Sequence, residues 1–261
     1  MNVFILTDLE GIPGVTSIDY VDKENPLYWA GCRLLEHYID FVTAICRRCG
    51  AETVWYWDGH GGGGNVREEN LKEGAIRADC ALWEQLLTER KIDCQIELGS
   101  HARAGTAGGF LDHTINSRRW FCHTVNGRES SELSIHAAVC GAHSVPIAVC
   151  IGDEAACEQA KEYIPRIHTA AVKKAERRNV CTDYPDADAR IEQAVREGLA
   201  DHRNIPPYRI SLPAEVRLTL YRTDFCEEML AHCTDPAVTR PDARTLAKTI
   251  SALTHYADLK F

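Results

Sequence analysis

The sequence predicts an α/β protein, a three-layer α/β/α sandwich with a mixed, mostly parallel sheet. Short apolar runs alternate with helix-length amphipathic stretches along the chain, and this alternation is typical of helices that cover both faces of a sheet. A length of 261 residues is enough to bury a sizeable core. We expect a single domain over residues 1–261, with the proline-containing residues 204–213 as the only candidate for a subdomain break.

The spacing of apolar residues predicts the individual strands and helices. Apolar runs predict strands near residues 2–7, 53–57, 94–99, 119–125, 146–151, 168–172 and 215–222. Amphipathic stretches predict helices near residues 28–49, 78–90, 130–143, 153–163, 186–202, 224–233 and 241–258. The run before Asn126 and Gly127 alternates polar and apolar residues, and this dipeptide favours a hairpin turn. Antiparallel pairing is therefore expected there, which makes the predicted sheet mixed.

Charge and hydropathy exclude several classes of partner. A net charge of −9 with dispersed Lys and Arg argues against nucleic acid and an anionic membrane surface, because both need clustered basic groups. No apolar run approaches the ~18 residues that indicate a transmembrane helix. Met1 and Asn2 lead directly into the first strand, without the basic start and cleavage pattern of an export signal. We therefore expect a cytoplasmic protein.

The chain contains twelve cysteines. In the cytoplasm they would stay reduced, and their positions within apolar periodic segments are typical of core residues. The single CxxC motif, Cys46 to Cys49, closes a predicted helix, whereas a redox motif of this type opens a helix after a strand. A structural-metal or thiol redox-sensing protein stays open as an alternative class, in which cysteines and histidines serve binding rather than turnover.

Potential metal ligands follow three predicted strands at their carboxyl ends. Asp8 and Glu10 follow the first strand, where alternation puts both carboxylates on one side. His60 follows the second strand, and His101 follows the third. Because functional groups of α/β sheets collect at the carboxyl ends of strands, these side chains are expected to meet in one crevice. A lone histidine after a strand is more often a surface or core residue, so the prediction depends on their joint placement.

Two later residues complete the candidate site. Glu132 supplies a third carboxylate, although its place at a predicted helix start also suits a capping role, and Glu129 is a neighbouring competitor. His113 follows the small-residue loop after His101. It is the candidate proton carrier, because imidazole titrates near neutral pH. A surface loop histidine is the simpler alternative for this residue.

The donor set favours two metal ions. Three carboxylates and two imidazoles exceed what one tetrahedral zinc needs, but they match two ions ~3.5–4 Å apart when one carboxylate bridges them. Asp8 is the best candidate for the carboxylate that bridges the two ions. It is the first residue after its strand, and its short side chain fixes its oxygens most tightly. Mixed oxygen and imidazole donors suit Zn²⁺ and are tolerated by Mn²⁺, Co²⁺ or Fe²⁺.

The glycine run around His60 has a competing explanation. Gly59 and residues 61–64 would let the backbone approach a ligand closely. A phosphate-binding loop would need a Lys-Ser/Thr ending or a GxGxxG motif leading into a helix, and this run has neither. The run is therefore interpreted as part of the metal site rather than of a nucleotide site.

At these residues the chain resembles the zinc-dependent D-aminopeptidases of the bacterial dipeptide-transport operon type, the DppA-type metallopeptidases. The resemblance runs in order over most of the chain and weakens only towards the C-terminal end. The matching segments are residues 8–15, 58–60, 99–106, 112–114, 126–133, 152–154, 160–162 and 169–173.

The resemblance implies a three-layer α/β fold with a two-zinc site. The implied ligands are Asp8 for both ions, Glu10 and His60 for one, and His101 and Glu132 for the other. His113 matches the catalytic histidine of the family. The resemblance also implies a homo-oligomer, and the type member of the family forms a decameric ring.

The expected function is hydrolysis of a short amide. Two metal ions would activate water and polarise the scissile carbonyl, while His113 moves a proton to the leaving amine. The resemblance indicates peptides that begin with D-alanine or another small D-residue, which makes the chain an aminopeptidase. An amidase for a non-peptide or peptidoglycan-derived amide is the alternative, because the metal chemistry does not depend on the leaving amine.

Overall fold

The computed structural model describes residues 1–261 as two β-sheets with six α-helices and short 3-10 helices. The strands are β1 (Asn2–Thr7), β2 (Thr53–Asp58), β3 (Ile76–Ala78), β4 (Cys94–Ser100), β5 (Trp120–Val125), β6 (Arg128–Glu129), β7 (Ile147–Asp153), β8 (His168–Arg177), β9 (Val180–Asp183), β10 (Ala214–Leu220), β11 (Thr239–Asp242) and β12 (Thr245–Ile250). The helices are α1 (Tyr28–Arg48), α2 (Cys80–Thr88), α3 (Glu132–Ala142), α4 (Glu154–Tyr163), α5 (Ala187–Asp201) and α6 (Thr223–His232).

The larger sheet carries the candidate site. Its seven strands have the order β3-β2-β1-β4-β7-β8-β9, and every neighbouring pair is parallel except β8 with β9. Strand β1 lies in the interior between β2 and β4, and its residues from Val3 to Thr7 are all buried. A strand buried on both faces needs apolar residues at nearly every position. This explains why β1 is an unbroken apolar run rather than an alternating one.

Helices cover both faces of this sheet. On one face, Gly198 of α5 lies against Val149 of β7, and α1 packs beside α5. On the other face, Trp83 of α2 contacts Phe4 and Trp57, and α3 and α4 continue that layer. The predicted three-layer α/β class is therefore confirmed. None of the helices combines the length and apolarity that crossing a bilayer requires.

The predicted helix over residues 241–258 is wrong. This segment contains the end of β11, all of β12 and the start of a 3-10 helix at Tyr256–Leu259. Pro241 has no N–H to donate in a helix interior, and the β-branched Thr245, Thr249 and Ile250 favour a strand. Apart from this segment, each predicted strand and helix has a counterpart within a few residues, whereas the short strands β3, β6 and β9 were not predicted.

The smaller sheet is antiparallel, with the order β11-β12-β10-β5-β6. The predicted hairpin at Asn126 and Gly127 is present between β5 and β6. However, β5 belongs to this second sheet, so the mixed character of the larger sheet comes from β9 instead. The segment after β12 returns to the larger sheet, where Tyr256 packs against Trp57 and Trp83.

The loop after β1 lies directly on the end of β4. The backbone N–H of Asp8 donates to the carbonyl oxygen of Leu98 at 2.8 Å. Gly99 has a φ of +89°, and a Cβ there would lie 2.0 Å from the carbonyl oxygen of Asp8. Only glycine fits this approach, because any side chain would push Asp8 away from β4.

We expect Gly99→Ala to lower the free energy of unfolding by about 3 kcal/mol or more, because backbone overlap adds to the cost of a positive φ. Urea unfolding followed by circular dichroism measures this loss. Gly74→Ala is the matched control, since Gly74 has a φ of +70° with no atom near its Cβ position, and it should cost only about 1 kcal/mol. Equal losses in the two variants would contradict the close approach.

Candidate metal centre

Three adjacent parallel strands deliver the first side chains of the site. Asp8 follows β1 directly, His101 follows β4 directly, and His60 lies two residues beyond β2. Because β1 pairs with β2 on one side and with β4 on the other, the three strand ends share one edge. The four ligands predicted at strand ends, which include Glu10, are therefore brought to one place by the strand order.

The carboxylate of Asp8 lies between two imidazoles. Its Oδ1 atom is 3.0 Å from Nδ1 of His60, and its Oδ2 atom is 3.1 Å from Nε2 of His101. Each oxygen thus faces a different ring, which is the arrangement that a carboxylate needs in order to bridge two cations.

Two groups of potential ligands share Asp8. In the first, Oε2 of Glu10 lies 3.0 Å from Nδ1 of His60. In the second, Oε1 of Glu132 lies 3.5 Å from Nε2 of His101. Within each group the candidate ligand atoms lie within 4.8 Å of one another, and no cysteine belongs to either group. The structure therefore brings together all five residues that the sequence proposed as ligands, and their role as ligands stays a prediction.

His101 provides a direct test of whether a metal ion fits. Its Nδ1 atom lies 3.0 Å from the carbonyl oxygen of Ala102, to which it donates. Its Nε2 atom is buried and has no well-aligned hydrogen-bond partner, but it lies 3.1 Å from Oδ2 of Asp8 and 3.5 Å from Oε1 of Glu132. An imidazole fixed through one nitrogen, with the other aimed at carboxylates, is the usual form of a metal-ligating histidine. The donor set fits a divalent cation.

Glu132 is the first residue of α3, but it does not cap the helix. Oγ of Ser131 accepts a hydrogen bond from the N–H of Ser134 and is the cap. The carboxylate of Glu132 turns to the site, where Oε1 also accepts a hydrogen bond from the N–H of Ile115 at 2.6 Å. The competitor Glu129 lies on β6 and pairs with Arg103 at 3.1 Å. The structure thus favours Glu132 as the carboxylate of the site.

His113 stacks on His101, with ring centroids 4.0 Å apart and an interplanar angle of 10°. Its Nδ1 atom donates to the carbonyl oxygen of Leu111 at 2.9 Å, and its Nε2 atom lies 3.7 Å from Oε1 of Glu132. His113, Glu10 and His101 also have ligand atoms within 4.8 Å of one another. The structure therefore places His113 beside the cluster with one nitrogen free to exchange a proton.

The charges of the cluster stabilise one another. Burial raises the pKa of Asp8, but His101 and His60 outweigh this effect and hold the pKa well below its usual range. Burial also raises the pKa of Glu132, and His101 lowers it to about 2. Burial lowers the pKa of His60 and His101, yet the neighbouring carboxylates raise both pKa values well above the usual range. This negative field would equally attract a cation.

Lys173 is a supporting residue that the sequence analysis missed. Its side chain is fully buried on β8, and Nζ donates to the carbonyl oxygens of Glu10, Ile12 and Val15. Burial lowers its pKa to about 8. One ammonium thus holds three carbonyl groups of the loop that carries Glu10. No sequence signal distinguishes it from the exposed Lys174 beside it.

The loop that carries His60 has its own support. The side-chain amide of Asn65 donates to Oδ1 of Asp58 and to the carbonyl oxygen of His60, both at 2.7 Å. Glycines 61–64, between His60 and Asn65, all have positive φ. The glycine run therefore allows a tight return of the chain to β2, which fixes the backbone of His60. Asp58 and Asn65 were also missed as supporting residues.

Two cavities meet at the cluster. The larger cavity, of about 430 Å³, is lined by Asp8, His101 and Glu132 together with more distant side chains. The smaller one, of about 350 Å³, is lined by Asp8, Glu10, His60, His113 and Glu132. Asp8 and Glu132 line both cavities, so the cluster can be reached from either side.

The fold and the site define an α/β protein with clustered carboxylate and imidazole side chains that could hold a metal ion at the ends of its parallel strands. A family model described as D-aminopeptidase, of the M55 peptidases, matches residues 1–259, and the chain belongs to this family. The family predicted from the sequence is thus confirmed.

Two relatives document the similarity. A D-aminopeptidase of Bacillus subtilis (strain 168) is 30% identical over 177 residues, which are 67% of this chain and 64% of that protein. This chain is thus aligned with less than two thirds of that relative. The solved structure of the Zn-dependent D-aminopeptidase DppA from Bacillus subtilis, described as a self-compartmentalizing protease, superposes with a TM-score of 0.86. The superposition includes 99% of this chain and 95% of the DppA chain, with 22% sequence identity. The comparison therefore supports the fold.

Metal binding is expected to release protons. Because raised pKa values keep His60 and His101 protonated in the metal-free protein near neutral pH, a cation must displace those protons, and its affinity should fall as the pH is lowered. Calorimetric titration in buffers of different ionisation enthalpy gives the number of protons released. His60→Gln should reduce that number by about one, whereas His37→Gln, at an exposed histidine of α1, should not. An absence of proton release would contradict this assignment.

Proposed function

We propose that this chain is a metal-dependent aminopeptidase that removes the N-terminal residue from short peptides, with a preference for D-alanine or another small D-residue. The observation that carries the proposal is the carboxylate of Asp8, whose two oxygens face the two imidazoles of separate ligand groups. Membership of the D-aminopeptidase family supports the reaction class, and the names of both relatives support the stereochemistry.

We propose zinc as the metal, because DppA is described as Zn-dependent and mixed carboxylate and imidazole donors suit zinc. Asp8 would be shared, Glu10 and His60 would hold one ion, and His101 and Glu132 would hold the other. Bound zinc would supply Lewis acidity to the scissile carbonyl and would make water a stronger nucleophile at neutral pH. The protein contributes ligands whose positions are fixed by strand ends and by hydrogen bonds to the backbone.

His113 is the proposed proton carrier. Its hydrogen bond to the carbonyl oxygen of Leu111 fixes the ring and leaves Nε2 beside the ligand cluster. An imidazole in this position can accept a proton from water and return it to the leaving amine. Its stacking on His101 holds it at the cluster without requiring it to bind a cation.

The assembly is also a proposal. DppA is described as self-compartmentalizing, and this chain exposes large apolar side chains such as Trp29 and Phe121. Exposed aromatic residues of this kind are frequent at subunit interfaces. We propose a cytoplasmic homo-oligomer, of which a decameric ring is the specific form to test, and light scattering of the purified protein would decide it.

The zinc-loaded protein is expected to cleave D-alaninamide and D-Ala-D-Ala faster than their L-counterparts. A site with fixed walls discriminates between the two hands of the α-carbon, and the names of both relatives indicate the D-hand. Release of free alanine, measured by chromatography, checks this result. If neither series is cleaved, the aminopeptidase proposal fails, and cleavage of the L-series alone refutes only its stereochemical part.

Single variants separate zinc binding from turnover of the same substrates. Asp8→Ala should lose zinc, because both ligand groups share this residue. His113→Ala should keep zinc but lose about 10²- to 10⁴-fold in kcat, since it removes the proton carrier. His37→Ala is the control. Metal content is measured by atomic emission, and retention of both ions in Asp8→Ala would disprove its bridging role.

A further inference from the structure

His113 lies in a segment whose backbone conformation is unfavourable. Leu111 has a φ of +49° and Ile115 has a φ of +62°, and left-handed backbone of this kind is costly for residues other than glycine. Such conformations persist only where the surrounding contacts determine them. The carbonyl oxygen of Leu111 accepts the hydrogen bond from Nδ1 of His113 at 2.9 Å. The contacts that hold Leu111 in this conformation therefore also set the position of the His113 ring.

These contacts come from the hairpin that β8 and β9 form at the edge of the larger sheet. Arg178 lies in the turn between the two strands, and its carbonyl oxygen accepts a hydrogen bond from the N–H of Leu111 at 2.7 Å. Its guanidinium binds Asp112 twice, because Nε lies 2.9 Å from Oδ1 and Nη2 donates to the carbonyl oxygen at 3.2 Å. The other carboxylate oxygen of Asp112 accepts from the N–H of Gly105 at 2.8 Å. Arg178 thus contacts both residues that precede His113.

The base of the same hairpin holds the loop that carries Glu10. Lys173 and Asp183 are paired across the two strands. Nζ of Lys173 donates to the carbonyl oxygen of Glu10, and the carboxylate of Asp183 accepts from the N–H of Gly14 in the same loop. Candidate ligand atoms of Glu10 and His113 lie within 4.8 Å of each other. One hairpin therefore contacts, at its base and at its tip, the two loops that bring these side chains together.

We propose that the β8–β9 hairpin fixes the position of His113 relative to the ligand cluster, with Arg178 as the positioning residue for this proton carrier. This role rests on the proposed function, in which His113 exchanges a proton with water and the leaving amine. Arg178 lines neither of the two cavities at the cluster, so it acts on the reaction only through Leu111 and Asp112. Its side chain is 46% exposed, and an ion pair exposed to this degree contributes little to global stability. Catalysis and stability should therefore respond differently to the loss of this side chain.

The first test compares Arg178→Ala with the wild type, both loaded with zinc, on D-alaninamide. The kcat should fall about tenfold, which is part of the roughly 10²- to 10⁴-fold that a proton carrier contributes, because the ring is present but less well oriented. KM, zinc content by atomic emission and the urea midpoint should stay at the wild-type values. Arg178→Lys should recover part of the loss, since an ammonium can pair with Asp112 but lacks the rigid fork of the guanidinium. Arg177→Ala, at an exposed neighbour on the same hairpin, is the matched control and should leave kcat unchanged.

Two further measurements distinguish positioning from a merely structural role. In the His113→Ala background, Arg178→Ala should cause no further loss of kcat, because no ring remains to be positioned. A crystal structure of Arg178→Ala should show the His113 ring displaced from its stack on His101, where the ring centroids are 4.0 Å apart in the wild type, with Asp8 and Glu10 unmoved. The crystal structure reports the position of the ring without turnover.

Several outcomes would overturn the positioning role of Arg178 and leave the aminopeptidase proposal intact. An unchanged kcat in Arg178→Ala, or an equal loss in Arg177→Ala, would do so. Loss of zinc together with kcat, the same factor of loss in the His113→Ala background, or an undisplaced His113 ring would do so as well. If the wild type cleaves no substrate, the aminopeptidase proposal fails, and the positioning role that rests on it falls too.

Discussion

The position of one carboxylate constrains the rest of the structure. Asp8 presents one oxygen to His60 and the other to His101, because it follows a strand that lies between the two strands leading to those histidines. The backbone N–H of Asp8 donates to the carbonyl oxygen of Leu98, and its own carbonyl oxygen lies close to Gly99. The position of Asp8 depends on the strand order and on Gly99 near the end of β4. It also depends on the buried polar contacts that support the loops.

Much of this arrangement could be predicted from local sequence patterns. The apolar runs of β1, β2 and β4 are short and end in polar or glycine-rich residues, so both the strands and the groups at their ends are visible without tertiary information. Family membership confirms the class of protein that these residues suggested. The local pattern favoured Glu132 but left Glu129 as a competitor, because both residues flank the same predicted helix start, and the fold shows that the carboxylate of Glu132 turns inward.

The missed features depend on contacts between distant segments. The helix expected over residues 241–258 had a suitable apolar spacing, but partners in β10 and β11 stabilise a strand there instead. Lys173 looks like any lysine in an alternating strand until the loop after β1 covers it with three carbonyl groups. Asn65 likewise acquires its role only through Asp58 and His60. Propensity and periodicity carry no information about such pairings.

The strand order also has a consequence for the kinetics of folding. Asp8, His60, His101 and Glu132 are far apart along the chain, and they meet only after β1 has paired on both sides with strands that follow it at long sequence separation. Such non-local pairings are costly to form. A cation would therefore find its complete set of ligands only once these strands have paired. Because it would bind that state and not the unfolded chain, an occupied centre would stabilise the paired strands and slow their separation.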